Sequence, residues 1–348
     1  MHYLEALDQM TSLFEATSNT PMASGIKIIN LAAMNMRYEK VALDRNLSVH
    51  PYILTRQIIE SQLIAFKTFM EMNFIENPAN LKPLSGKQTA MEAKHQALFN
   101  LIWDRYDSND YETYVDRYKH RIIVNDLISI IEDKKCLDMG CGNGNFCFAL
   151  VDLGARMAAG IDFGEDSIQY ANSKRMHRSN GERCEFKVTT VYETGYSDNS
   201  FDFVIQNGVF HHLDDEYKAI IEARRVLKLN GFMWYYTDGE GGISYDLWDR
   251  SVFLLREIPQ EYIRSILQTF NISTNKLVHL MDGMNATYRH TSWDKILQVL
   301  MKAGFGNFRR LSGGFETDTD PEIVIGDPYA KEKFGEGDLR ILAQLVKK

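Results

Sequence analysis

Apolar and polar positions repeat with two different periods along this chain, and the change of period divides it. Over 3–14, 25–43 and 52–75, apolar side chains return at steps of three and four, which predicts amphipathic helices. In the third run Ile58, Ile59, Leu63, Phe66, Phe69 and Met70 form one broad stripe, suited to a helical core or to a face for a second copy. Pro78 and Pro83 mark a loop at 77–88, and a helical pattern resumes over 91–103.

From about residue 134 short apolar runs alternate with helical patterns. Strands are predicted at 135–139, 157–162, 185–190, 201–207 and 231–237, with helices at 165–176 and 215–227. Such alternation gives a doubly wound, Rossmann-like α/β sheet that is mainly parallel. The stretch 240–290 interrupts it and predicts helices at 252–258 and 261–270, an insertion placed as a lid over the strand ends. A helix at 292–305 follows. The segments 308–314 and 339–346 then close the sheet as a terminal pair with an antiparallel last strand, separated by a loop at 316–338. The expected organisation is a helical N-terminal domain over 1–115, serving as lid or for oligomerisation. An α/β domain over 116–348 carries the helical insertion 240–290.

Composition narrows the function classes. The chain has 348 residues, 45% of them hydrophobic and 25% charged, with a net charge of −8 and no run of Lys or Arg. That speaks against a nucleic-acid partner. No apolar run approaches the roughly 20 residues of a membrane span, and the first residues lack the charge and apolar core of a signal peptide. Cys136, Cys141, Cys147 and Cys184 match no zinc spacing or disulfide framework. Small buried side chains explain them, with a redox or metal role as the alternative. A reducing, cytoplasmic setting is expected.

The candidate chemistry centres on 136–146, CLDMGCGNGNF, where an apolar run ends in Asp138 and passes through Gly140, Gly142 and Gly144 into a helical pattern. Glycines here let bare backbone approach a ligand. A dinucleotide site needs G-x-G-x-x-G, and its third glycine would fall on Asn145. Asp138 would also oppose a diphosphate, so the turn suits a cationic ligand instead.

Four segments together resemble the class I S-adenosylmethionine-dependent methyltransferases, in the order of that family's motifs: CLDMGCGNGNF, GIDFGEDSIQYA, SDNSFDFVIQNGVFHHLDDE and ARRVLKLNGFMW. The likeness covers about 120–240 well and 291–348 loosely. It implies S-adenosylmethionine as cofactor, with S-adenosylhomocysteine as product. Asp138, Gly140, Cys141 and Gly142 would then surround the methionine portion. Asp162 would bind the ribose diol, with a helix N-cap as its alternative role, and Phe163 would pack on the adenine. The acid that the family often carries after strand three falls on the neutral Thr190, so Thr190 and the backbone near Val191 would take its place. Gln206 and Asn207 end strand four and could bond either the methionine part or the substrate.

Methyl transfer is an in-line displacement in which positioning contributes up to roughly 7–11 kcal/mol, and a base adds about 10²–10⁴-fold for a hydroxyl or ammonium acceptor. The likeness to plant-type O-methyltransferases, which also carry an N-terminal helical dimerisation region, offers His211 as the base. His212 could touch substrate or cofactor, and a structural pair is the third reading. Tyr114, Tyr118, Tyr245, Trp248 and Arg289 are candidates for a polar aromatic substrate pocket, with ordinary packing as the alternative. Arg309 and Arg310 could pair an acidic substrate group or line a solvated strand. The expected function is methyl transfer to a small-molecule O, N or S atom, in a possible homodimer. A nucleic-acid methyltransferase and a non-catalytic binding subunit are the alternatives.

Overall fold

The computed structural model describes residues 2–72, 108–270, 272, 280–281, 283–284, 286, 288–315, 318–320 and 326–348. The loop expected at 77–88, the helix at 91–103 and part of the loop at 316–338 lie outside them. Three helices come first: α1 (Tyr3–Glu15), α2 (Pro21–Leu43) and α3 (Pro51–Glu71). Helix α4 (Ser108–Val124) precedes β1 (Lys135–Met139), α5 (Asn145–Asp152), β2 (Met157–Asp162), α6 (Glu165–Met176) and β3 (Cys184–Val188). Then follow β4 (Phe201–Asn207), α7 (Glu216–Val226), β5 (Leu227–Asp238), α8 (Ile243–Leu255) and α9 (Gln260–Thr269). The described chain closes with α10 (Trp293–Lys302), β6 (Phe305–Arg310), α11 (Ala330–Phe334) and β7 (Asp338–Leu345).

These elements fall into two compact units, one of 1–95, 241–286 and 324–335, the other of 96–240, 287–323 and 336–348. The first is helical. Thr20 caps α2, its hydroxyl accepting from the Ala23 N–H at 3.3 Å, with Pro21 in the first turn where its missing N–H costs nothing. Ile58, Ile59, Leu63 and Phe66 are buried, and Phe66 stacks on Phe14 of α1 with centroids 4.2 Å apart. Within this unit Arg250 of α8 reaches Asp8 and Thr11 of α1, and the buried Lys333 of α11 donates to Asp327 at 2.8 Å and to the Asp44 carbonyl at 2.6 Å. No helix among the described residues is long and apolar enough to cross a membrane.

The second unit is a seven-stranded sheet in the order β3-β2-β1-β4-β5-β7-β6, parallel except for β7, which runs antiparallel to both neighbours. Alternate residues feed two cores. Leu137, Met139 and Val204 pack with Ile220 and Ala223 of α7 and Leu300 of α10, while Cys136, Phe203 and Trp234 pack with Val115 of α4 and Phe148 of α5. Both faces are covered, so the central strands read as continuous apolar runs. The chain winds outward from β1 in one direction and from β4 in the other, which opens a crevice at the ends of these two strands.

Several boundaries differ from the pattern-based expectation, three of them for a reason visible in the backbone or the side chains. The sixth strand is Phe305–Arg310 rather than 308–314, because Gly304, at φ +92°, ends α10 and the strand starts at once. The fifth begins at Leu227 and passes through Asn230 at φ +66°. Helix α8 starts at Ile243, not 252: its buried residues Ile243, Leu247, Ser251, Leu254 and Leu255 keep helical spacing, but aromatic and polar side chains between them masked it.

Candidate cofactor and active site

After Met139 the chain turns through Gly140, Gly142 and Gly144 at φ +90°, +50° and +86°, a region that strains residues with a Cβ. At Gly140 space is closed as well, since a Cβ would stand 2.5 Å from Val209 Cγ2. Gly144 leads directly into α5, so the N-terminus of that helix opens onto the turn. Cys141 is buried with its sulfur over Gly160, where a Cβ would come within 2.7 Å, and burial pushes its thiol well above the ordinary value. All four cysteines are free and buried.

Two acids flank this turn. Asp138 is 3% exposed and lies in register with Gly160 of β2 and Ile205 of β4. Burial, with the negative charge of Asp162 beside it, pushes its carboxyl up to about 8. Asp162 ends β2 and accepts the Gly142 N–H at 2.9 Å on Oδ2 and the Gly164 N–H at 2.8 Å on Oδ1. These bonds fasten the glycine turn to the end of the second strand. A carboxylate oxygen can accept more than one hydrogen bond, the chemistry that a diol calls for. The negative charge of Asp162 raises the proton affinity of Asp138 in this buried turn, a setting that favours a cation and opposes a phosphate. The donor set therefore fits an ammonium near Asp138 and hydroxyls at Asp162.

Helix α4 lies on this turn. Tyr111 donates to the Asn143 carbonyl at 2.8 Å, and Tyr118 stacks on Phe146, rings 4.5 Å apart and 6° from parallel. The amides ending β4 are held by the protein. Gln206, fully buried, donates to the Tyr236 carbonyl at 2.8 Å and accepts the N–H groups of Val209 and Phe210 at 3.0 and 3.2 Å. Asn207 accepts from Trp234 Nε1 at 3.2 Å and donates to the Tyr118 hydroxyl at 3.4 Å. Gln206 thus shapes the turn that follows it. Beyond β3 the Thr190 hydroxyl accepts from the Tyr192 N–H at 3.3 Å, Val191 is buried, and Phe163 beside Asp162 is about half exposed.

That turn carries the histidines. Phe210–His212 is a single 3₁₀ turn, and His211 Nε2 stands 2.9 Å from His212 Nε2. His211 Nδ1 is 3.3 Å from the Thr237 hydroxyl. Tyr288 stacks on His211 at 5.2 Å and meets His212 edge-on at 4.4 Å. The next residue, Arg289, donates to the carbonyls of Leu213 and Asp214 and so holds the Tyr288 segment to the one after the histidines. Thr291 pairs with the end of β5, its carbonyl accepting from the Glu240 N–H at 2.8 Å.

The other candidates scatter. Tyr114 is half-buried on α4. Tyr245 and Trp248 belong to α8 in the helical unit, where the Trp248 ring closes over Gly283. Arg309 and Arg310 donate to the carbonyls of Asn125 and Glu336. Sequence reasoning missed Thr237 and Val209. The one available signal for Thr237 was its place at the end of a predicted strand, the sheet edge where sites form.

A methyltransferase domain model matches residues 130–303. A 27-O-demethylrifamycin SV methyltransferase from Amycolatopsis mediterranei is 32% identical over 97 residues, 28% of this chain and 36% of that protein. A ubiquinone biosynthesis O-methyltransferase from Neisseria meningitidis is 26% identical over 172 residues, 48% of this chain and 70% of that protein. The chain thus spans about a third of the first relative's length and more than two thirds of the second's. The structure of the 1,6-didemethyltoxoflavin-N1-methyltransferase of Burkholderia thailandensis, with bound 1,6-didemethyltoxoflavin and S-adenosylhomocysteine, is 15% identical at a TM-score of 0.44, covering 76% of this chain and 94% of that one. The domain match takes in half of the chain, including the glycine turn, both strand-end acids and the histidine pair, and the chain belongs to the class I S-adenosylmethionine-dependent methyltransferases.

Proposed function

We propose that this chain methylates a small-molecule acceptor at O, N or S, using S-adenosylmethionine. The observation that carries this reading is the placement of Asp138 and Asp162 at adjacent strand ends around the Gly140–Gly142 turn. When bound, the cofactor supplies an electrophilic methyl carbon whose bonding pair leaves on sulfur. Asp138 would hold its ammonium, the backbone of Gly140, Cys141 and Gly142 its methionine portion, and Asp162 its ribose. Phe163, Thr190 and Val191 border the adenine side. The chain's contribution to rate is then orientation and the disposal of a proton. The relatives named for a rifamycin and for ubiquinone biosynthesis support a small acceptor and favour oxygen as its reacting atom. The absence of a basic run supports the same class over nucleic acid.

Calorimetry with S-adenosylhomocysteine tests the reading. The native protein is expected to bind, and Asp162→Ala to weaken binding at least about tenfold, the loss of one or more charge-assisted hydrogen bonds. Native protein that does not bind, or an Asp162→Ala variant that binds equally well, removes it.

A further inference from the structure

We propose that Tyr118 and Asn207 recognise the methyl acceptor through an oxygen lone pair, so that the acceptor presents a carbonyl or carboxylate oxygen, and not an ammonium, to the end of β4. This deepens the methyl-transfer reading above and rests on it. The Trp234 indole N–H can only donate. It stands 3.2 Å from Asn207 Oδ1, which fixes the amide with its oxygen toward the indole. Asn207 Nδ2 therefore faces Tyr118, 3.4 Å from the hydroxyl oxygen. An NH₂ group also only donates, so Tyr118 accepts here and its own proton points elsewhere. Asn207 keeps a second N–H. Among the described residues neither proton has a protein acceptor. Tyr118 and Asn207 are both half-buried, whereas Gln206 beside them is fully buried and tied to backbone groups.

The register places these donors. Ile205 pairs with Asp138, and alternate strand residues share a face, so Asn207 stands on the Asp138 side of the sheet, about 7 Å further toward the strand end. Asp138 is the acid suited to the cofactor's ammonium, and the donor pair lies outward from it, toward the crevice. Burial, opposed by the charge of Arg121 and joined by that of Asp138, raises the Tyr118 hydroxyl above its ordinary value. The phenol therefore keeps its proton and stays a donor. Its ring is held by the stack on Phe146, so the direction of donation is set before a ligand arrives. A cation at this position would meet donors alone and leave them unpaired, at the cost of losing water without a partner. One oxygen with two lone pairs satisfies both protons at once.

The full chain saturated with S-adenosylhomocysteine gives the test, using benzoate and benzylammonium, probes that share a ring and differ in the charge of the group it carries. Benzoate is expected to bind and to move the ¹⁵N signal of the Asn207 side chain, and benzylammonium to leave that signal in place. Tyr118→Phe keeps the ring on Phe146 and loses only the hydroxyl. It should weaken benzoate at least about tenfold, the loss of a hydrogen bond to a charged group, with S-adenosylhomocysteine affinity unchanged. Asn207→Asp still accepts from Trp234 but takes the Tyr118 proton for itself, so it should lose benzoate as well, and it decides where Tyr118→Phe fails to fold. Native protein that binds neither probe, or prefers benzylammonium, overturns the proposal, as does either variant if it binds benzoate like the native chain. A Tyr118→Phe variant that loses S-adenosylhomocysteine overturns it too, by showing that the donors serve the cofactor. Native protein without affinity for S-adenosylhomocysteine removes methyl transfer itself, whereas that affinity with no preference for benzoate removes only the acceptor assignment.

Discussion

Asp138 sets the electrostatic character of the cofactor turn. With its carboxyl pushed up to about 8 by burial and by Asp162, it holds a proton at neutral pH until a cation arrives. The folded pKa lies above the ordinary carboxylate value. The ligand-free protein therefore loses stability as pH rises from the carboxylate range through about 8. An ammonium beside Asp138 favours the charged form, so binding should expel the proton. Calorimetry of S-adenosylhomocysteine binding at pH 7, in buffers of different ionisation enthalpy, is expected to show up to one proton released. It should also show affinity rising with pH until about 8. A heat that does not change with buffer contradicts this, and Asp138→Asn should abolish the release. The positions of the acids and glycines were legible in the sequence because short spacings put them at a strand end, a turn and the next strand end. The roles of Gln206 and Asn207 were not, since their partners Tyr236, Trp234 and Tyr118 lie far away in the chain.

Among the elements, α7 is anchored by one carboxylate. Glu222 Oε1 accepts both the N–H and the hydroxyl of Thr194, at 2.8 and 2.7 Å, and Arg225 closes on the same carboxylate. These partners hold it down at about 2. The stabilisation is complete above the ordinary glutamate range and disappears as pH falls through about 2. Glu222→Ala leaves the buried Thr194 groups unpaired, which should cost about 1–3 kcal/mol at pH 7. Urea unfolding at pH 7 and pH 2.5 checks this: the gap between native and variant should narrow at the lower pH, and a constant gap contradicts it. Element types were legible where a short apolar run was followed by a longer polar stretch without Gly or Pro, as in β2 and α6. Boundaries were lost where a glycine changed the backbone without changing the apolar pattern, as at Gly304.

At the scale of the whole molecule, a buried charge network joins distant segments of the sheet unit. Arg340 of β7, 2% exposed, donates to Asp320 at 3.0 Å, Asp338 at 3.0 Å and Asp318 at 3.2 Å. Asp318 also receives Arg121 of α4 at 2.9 Å. Removing one partner strands the others without water. Arg340→Met should cost about 3–5 kcal/mol in urea unfolding, and a cost below about 1 kcal/mol would show that the carboxylates find other partners. No local pattern announces such a network, just as none shows that 324–335 joins the helical unit. Each includes a pairing far apart in the chain, Arg121 with Asp318 in the network and Lys333 with Asp44 in the helical unit.

The sheet order also bears on how the protein is made. β7 is synthesised after β6 yet lies between it and β5. As the chain leaves the ribosome, β1 to β5 can pair in turn, but β6 emerges before its own partner strand exists. It must wait, together with the open edge of β5, until residues 338–345 have been added. A message cut short before the codon for Asp338 would therefore release a chain in which the outer edge of β5 and the whole of β6 are unpaired, the feature that draws strands of separate molecules together.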